Sequence, residues 1–400
     1  MMTWLIIISL SQNIISTFMN KNCRVLLLGP RSINSVTGVS LAFDLLIKGL
    51  KERDISYTVV DFTSPHGAKK SGSYSLKSAF YSLRAIFKTW VRMHKVDVFY
   101  ATMSTSSLGF LRDFMTVGAA YFFRKKVIMH LHGGGFGDFY KSSNKWMRYL
   151  ILGHLNRVNN IIVLGNLLKQ QFDCVSNNVK DKLLVVPNGL TLGVNDPTIK
   201  FKTLQKEETI NLTYLSSLMP SKGFMDVILA LEILKKQSGK KYHLDICGNF
   251  INAITEKACE LKNHEDLLTY IKDNNLGNDI TYHGQVLGSD KESLLKKAHV
   301  FLLPTYYPWE GQPLSIIEAM AYATPIISCK HRGIPEMIDE GINGHFVMPK
   351  DPKDIAEKIK AITSSSDKYM NYSEQSRIKY EKDFRREVHL NRLISHIWID

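Results

Sequence analysis

The stretch PWEGQPLSIIEAMAYATP, residues 308–325, holds two carboxylates eight residues apart in contrasting settings. Glu310 precedes Gly311 and Pro313, where a chain turns, whereas Glu318 falls in a run of Ile, Ala and Met that reads as a buried helix. Proline suits the first turn of a helix, so a helix is expected to open at Gln312-Pro313. The amides of Gly311 through Ser315, with Leu314 between them, then lack intrahelical partners at the positive end of the dipole, a place ready for phosphate. Glu310 would stand at the lip of that place and accept hydrogen bonds from hydroxyl groups. Glu318, one to two turns inside, is costly to bury unless a polar group meets it, and a ribose diol would serve. Either glutamate alone could equally be a capping or partly exposed helix residue; the pair in this context points to a ligand.

A second candidate is MHLHGGGFGDFY, residues 129–140. His132 closes an apolar run and is followed by three glycines, which let a ligand approach the backbone. That position favours a cleft over a core histidine. His130 makes an H-x-H pair, but no third ligand is apparent. There is no D-x-D motif either, so no bound metal is expected. Any phosphate bound there would have to be neutralised by lysine and helix ends instead.

These residues need elements to position them. From Arg24 onward, short continuous apolar runs alternate with helical stretches: RVLLLG, a helix opening at Gly38, SYTVVDF, a helix over 75–95, then VDVFYAT, KKVIMHLHG and NNIIVLG. Continuous apolar strands separated by helices imply a parallel sheet covered on both faces. After LLVVPNG the chain becomes polar and aperiodic. The alternation then restarts with INLTYLS, a helix over 223–236, YHLDICG, DITYHG, a helix at ESLLKKA, VFLLPT, the LSIIEAMAYA helix, PIISC and a final helix from Asp351. The expected organisation is an apolar extension over 1–18, a domain over 19–190, a linker over 191–208, a second domain over 209–375, and a C-terminal helix over 376–400 crossing back to the first. Two doubly wound sheets in series would present the loops after their strands to a shared cleft.

Charge divides the same way. Residues 1–190 hold 24 Lys/Arg against 9 Asp/Glu, and residues 191–400 hold 27 against 28. A basic first half calls for an anionic partner: a phosphorylated substrate, an acidic membrane surface or nucleic acid. On the helix over 76–95, Lys77, Arg84, Lys88, Arg92 and Lys95 line one side, and Leu76, Phe80, Leu83, Phe87, Trp90 and Val91 its neighbour. This is the pattern of a basic interfacial helix, or of a helix whose apolar side packs on its own sheet. The five cysteines are scattered without a C-x-x-C, which argues against a disulfide framework and a zinc ribbon and for a reducing compartment. Trp4 to Phe18 is too short and too interrupted for a spanning helix and lacks a basic n-region. It reads as an upstream extension outside the native protein, with a short membrane-seeking helix as the second reading.

The stretch from Glu310 through EAMAYATPIISCKHRGIPEMIDEGINGHFV resembles the donor-binding signature of family-4 retaining glycosyltransferases of GT-B fold. The resemblance runs from about Arg24 to the last helix and is most specific over 304–347. It implies that Glu310 contacts the transferred sugar, that Glu318 holds the nucleotide ribose, and that amides near Leu314 and Ser315 bind the distal phosphate. YLSSLMPSKGF is similar to the motif supplying an Arg and a Lys to the diphosphate: Lys222 is present, but Ser217 stands where the Arg usually does. His132 would lie beside the donor sugar and acceptor. GPRSINSVTGVS resembles the first Gly-rich loop with its glycine pair reduced to Gly38. YHGQV, ending at Val286, takes the place of the groups flanking the base.

The resemblance implies a metal-independent, retaining glycosyltransferase, with His132, Glu310 and Lys222 as its catalytic residues. It would carry sugar from a UDP-, GDP- or other nucleotide-sugar to a glycan or polyprenyl-diphosphate-linked acceptor. The setting would be bacterial surface polysaccharide such as capsule or lipopolysaccharide, on the cytoplasmic face of an anionic membrane. Two rivals stay open. A sugar-nucleotide 2-epimerase shares the fold and would act on donor alone, and a non-catalytic nucleic-acid-binding protein would explain the basic half but leave both glutamates and Lys222 without a purpose.

Overall fold

The computed structural model describes residues 23–34, 36–63, 76–190, 199, 201–205, 209–237, 239–251 and 261–398. The apolar stretch over 1–18, most of the linker and Cys259 lie outside them. The described residues form two α/β halves. The first has β1 (Val25–Gly29), α1 (Gly38–Glu52), β2 (Tyr57–Asp61), α2 (Leu76–Met93), β3 (Val98–Thr102), α3 (Ser107–Phe122), β4 (Lys126–Leu131), α4 (Phe136–Ser142), α5 (Lys145–Asn156), β5 (Asn160–Val163), α6 (Asn177–Lys180) and β6 (Leu183–Val185). The second has β7 (Ile210–Leu215), α7 (Phe224–Gln237), β8 (Tyr242–Cys247), α8 (His264–Asp273), β9 (Ile280–Gly284), α9 (Gly288–Lys297), β10 (Val300–Leu303), α10 (Leu314–Ala321), β11 (Ile326–Cys329), β12 (Gly344–Val347), α11 (Pro352–Ile362), α12 (Ser366–Lys379) and α13 (Arg386–Trp398).

Each half is built on a six-stranded sheet, ordered β2-β1-β3-β4-β5-β6 and β12-β11-β10-β7-β8-β9. Every pairing within them is parallel. The central strands are buried on both faces: β1, β3 and β10 have no exposed residue, which is why they read as unbroken apolar runs. In both sheets the first strand is interior, so the winding reverses beside it, between β1 and β3 and between β7 and β10. Loops leaving two such neighbours diverge and open a crevice at the carboxyl ends.

The C-terminal region departs from the single helix expected from Asp351. Asp351 does cap α11, accepting from the amides of Lys353 and Asp354, but the chain turns at the serine run 364–366 and Ser365 caps α12. The return to the first half follows a π turn at Tyr380–Phe384 and an extended Arg385, so the crossing begins some residues later than 376. Leu390, Leu393, Ile394 and Ile397 of α13 then join the core of Val25, Leu27, Phe43 and Tyr100. The outward and return crossings run side by side, with the Leu190 amide bonded to the Phe384 carbonyl at 3.2 Å. Past the first crossing, Lys202 anchors the chain to the second half. Its Nζ donates to the carbonyls of Leu295 and Ala298 and to Thr324 Oγ1 at 2.8, 2.5 and 2.7 Å, and burial pushes its pKa down to about 7.

Candidate active site at the domain junction

The crevice of the second sheet is where Lys222 and Glu310 meet. Lys222 ends a short 3-10 turn after β7, and Gly223 beyond it takes φ +75 against Pro304, a conformation suited to glycine. Glu310 closes the loop after the neighbouring strand β10. Lys222 Nζ lies 2.5 Å from Glu310 Oε2, the Thr305 hydroxyl is 3.1 Å from the same oxygen, and the Tyr307 ring sits 4.8 Å from the ammonium. Glu310 is therefore not at an exposed lip. It is 7% exposed, because the loop folds back over the strand ends and the first half closes over it. A buried cation and anion held this way are mutually compensated, and each can exchange its partner for a ligand, the lysine for an anion and the carboxylate for hydrogen-bond donors.

Glu318 lies on α10 and is 5% exposed. Burial pushes its carboxyl up from the usual range, opposed by Lys291, whose Nζ on α9 donates to Oε1 at 2.7 Å. The polar group that meets this buried carboxylate within the chain is thus a lysine. Sequence reasoning missed Lys291, since nothing distinguishes it from Lys296 and Lys297 on the same helix. Val286 sits half-buried between β9 and α9, and Ser217 half-buried after β7.

Helix α10 begins at Leu314, with Pro313 as its cap residue at φ −60, ψ 119 rather than within the first turn. No side chain caps this end, which leaves the first-turn amides of Leu314 and Ser315 without intrahelical acceptors. The start of α1 faces it: a side chain at Gly38 would meet Leu314 at 3.7 Å. Two positive helix ends thus converge across the junction. Thr37 and Ser40 form a capping box at α1, and Asp44 holds Arg31 and Ser32 of the loop before it.

The glycine run after His132 meets the Glu310 loop. The Gly134 amide donates to the Trp309 carbonyl at 3.1 Å. A Cβ on Gly134 would stand 2.5 Å from the Glu310 carbonyl, and one on Gly311 would stand 2.3 Å from the His132 carbonyl. No side chain fits at either position, so here the glycines allow two backbones to touch. The His132 ring stacks on His130 at 3.9 Å, and its Nε2 is buried without a partner. Burial, then His389, pull its pKa down to about 3, so the ring is neutral at neutral pH. His130 bonds the Tyr100 hydroxyl at 2.6 Å, and His389 of α13 bonds the Pro187 carbonyl at 2.6 Å. Among the described residues no group of three or more His, Cys, Asp or Glu is arranged to hold a metal ion.

Further contacts lock the halves together. Glu336 accepts from the amides of Asn166 and Leu167 at 3.0 and 2.5 Å, Asn188 donates to Gln312 twice, and Arg332 pairs with Asp138 at 3.3 Å. None of these was legible as a pair, because each joins segments far apart in the chain.

Residues 195–379 match the family described as "Glycosyl transferases group 1". Among curated proteins, the chain is 29% identical over 136 residues to a putative colanic acid biosynthesis glycosyltransferase of Escherichia coli, a third of each chain. It is 26% identical over 268 residues to an uncharacterized glycosyltransferase of Methanocaldococcus jannaschii, 63% of this chain and 65% of that one. The chain thus spans a third to two thirds of the length of these relatives. Among solved structures, HepE of Anabaena in complex with UDP superposes with a TM-score of 0.68 at 16% identity, covering 94% of this chain and 99% of that one. The fold is GT-B, two Rossmann-like domains facing one another.

Proposed function

We propose that this chain, a GT-B protein whose residues 195–379 match the group 1 glycosyl transferases, moves a sugar from a nucleoside-diphosphate sugar to a hydroxyl of a glycan or polyprenyl-diphosphate-linked glycan. The observation that carries the reading is the buried Lys222–Glu310 pair, set at the switch point of the second sheet and covered by the His132 loop of the first. On donor binding, Lys222 turns to the diphosphate and Glu310 to the sugar hydroxyls. Glu318, with Lys291, holds the ribose, and the stretch at Val286 flanks the base. The first-turn amides of Leu314 and Ser315 and the start of α1 at Gly38 neutralise phosphate that the missing arginine at Ser217 would have met, without a metal ion. UDP and UDP-glucose occupy HepE, which supports a uridine nucleotide as donor.

Transfer with retention in a single step, without a covalent intermediate, requires attack on the face the leaving group departs from. The acceptor hydroxyl oxygen bonds to the anomeric carbon as the bond from that carbon to the diphosphate oxygen breaks, and the hydroxyl proton passes to the departing phosphate. Lys222 and the helix amides stabilise the charge that develops there. His132, neutral and stacked on His130, supplies shape at the sugar rather than a proton. Relatives named for colanic acid and amylovoran biosynthesis support a role in bacterial surface polysaccharide, on the cytoplasmic side of the membrane. Calorimetry with UDP-, GDP- and ADP-sugars in chelator, repeated on Glu318→Ala, tests the donor site: selective binding that weakens in the variant is expected, and no binding of any donor would overturn the reading. Release of free epimerised sugar nucleotide from donor alone would replace it with an epimerase.

A further inference from the structure

Helix α2 is turned against its own amphipathicity. Among its described side chains Ala85, Thr89 and Met93 are buried, while Phe80, Leu83, Phe87 and Val91 are 63%, 65%, 70% and 53% exposed. The sheet takes the small side of the helix and leaves the large apolar side in solvent. Helix α3, packed beside it, buries Phe110 and Val117 but also leaves an apolar row in solvent: Leu108, Leu111, Met115 and Phe122 are 51%, 51%, 41% and 72% exposed. Trp90 joins the two stripes, its indole N–H donating to the Met115 carbonyl at 3.2 Å and its ring 6.3 Å from that of Phe122. Single exposed apolar residues are ordinary, but two adjoining rows of them on one face mark an interaction surface.

The charges on this face have one sign. Residues 76–126 contain nine Lys/Arg and two acids. Asp113 is buried against Arg112 at 2.6 Å, and Asp97 is bonded to the backbone and side chain of Arg24. Where the stripes end, an open cavity of about 1650 Å³ brings Trp90, Met115 and Phe122 together with Arg124, Lys125 and Arg157. A second copy of the chain would oppose cations to cations here, whereas an anionic bilayer matches both the apolar rows and the basic rim. Helix α2 delivers the chain to the start of β3, so its first turns lie toward the carboxyl ends of the strands, where the cleft is.

We infer that the α2–α3 face docks the protein on an anionic phospholipid bilayer, with the two apolar rows in the acyl boundary and the arginines and lysines among the headgroups. The inference rests on this surface and holds whichever donor or reaction the cleft serves. Co-sedimentation of the full chain with phosphatidylcholine vesicles, and with phosphatidylcholine–phosphatidylglycerol vesicles, tests it. Binding to the anionic vesicles is expected to exceed binding to the neutral ones by about tenfold or more and to weaken with salt. It should be lost in Leu83→Ser/Phe87→Ser, whose exposed positions leave the fold intact and whose donor binding by calorimetry should be unchanged. Equal binding to both vesicles would overturn the proposal. So would undiminished binding by the double variant, which would assign the affinity to the apolar stretch before Cys23, or sedimentation showing a dimer that the variant dissolves.

Discussion

Lys222 and Glu310, 88 residues apart, share a hydrogen bond of 2.5 Å inside the domain junction. Their proximity follows from topology: they end the loops of β7 and β10, neighbours at the point where the winding of the second sheet reverses. Removing one member of a buried pair strands the other charge, at about 3–5 kcal/mol, whereas replacing both is far milder. Glu310→Gln and Lys222→Met are therefore each expected to lower the Tm. The double variant Lys222→Met/Glu310→Gln should recover much of that loss. Activity should not follow stability: kcat/KM stays down by about a hundredfold or more in all three, since either the departing diphosphate has lost Lys222 or the transferred sugar has lost Glu310. Thermal melts beside steady-state kinetics separate the two effects, and a double variant with restored turnover would make the pair merely structural.

Glu318 and Lys291 make a different prediction, because burial raises the Glu318 carboxyl and Lys291 opposes that rise. With Glu318→Ala, UDP affinity should fall by about tenfold or more, the worth of a hydrogen bond to a charged group. With Lys291→Met the carboxyl climbs further. Affinity should then fall more steeply as the pH is lowered than in the parent, since a protonated carboxyl accepts less well from a diol. Calorimetry of UDP across pH reads both, and a pH-independent loss in Lys291→Met would place that lysine on the nucleotide rather than on Glu318.

What the sequence disclosed and what it hid divide along physical lines. Strands buried on both faces, such as VFLL at β10, have no polar alternation to misread, and Glu310-Gly311 ahead of a proline marks a helix start by local chemistry alone. The partner of Glu318 was hidden because a lysine's direction is chosen by the packing of α9, not by its neighbours in sequence. Helix α3 escaped notice for a related reason: its exposed Leu108, Leu111 and Met115 blur the usual contrast between a buried and a solvated side. On α2 the pattern was plain but its orientation was not, and the structure decides it by packing Ala85 and Thr89 inward. The break between α11 and α12 had a signal in the three serines at 364–366, which compete for backbone amides as helix caps do.

The close approach of Gly134 and Gly311 to opposing carbonyls predicts what a single methyl group would do. In Gly134→Ala the new Cβ would fall 2.5 Å from the Glu310 carbonyl, and in Gly311→Ala 2.3 Å from that of His132. Both contacts are backbone, so neither can swing aside, and the two halves must part. Each variant should keep its secondary structure by circular dichroism while its radius of gyration in X-ray scattering increases and kcat falls by about tenfold or more, as for a misplaced catalytic loop. Unchanged scattering and unchanged kcat would mean that the halves do not need this contact to work.

Among the described residues, four histidines are buried in or beside the first sheet and held neutral. Burial takes His132 and His154 down to about 3 and His389 to about 4, and takes His130 well below its ordinary value of 6.5. The unfolded chain binds a proton at each near pH 6.5 and the folded chain does not, so between pH 6.5 and about 4 the unfolded state holds more protons and stability falls as pH falls. The contribution is whole above pH 6.5 and is lost as the pH drops through that window toward the folded values. Urea unfolding at pH 5 should show a pH slope corresponding to about three to four protons taken up beyond those of the carboxylates. His389→Gln should remove close to one of them, because His389 sits where the two crossings meet with its Nδ1 on the Pro187 carbonyl. A slope unchanged by that substitution would mean that His389 is already protonated in the folded protein.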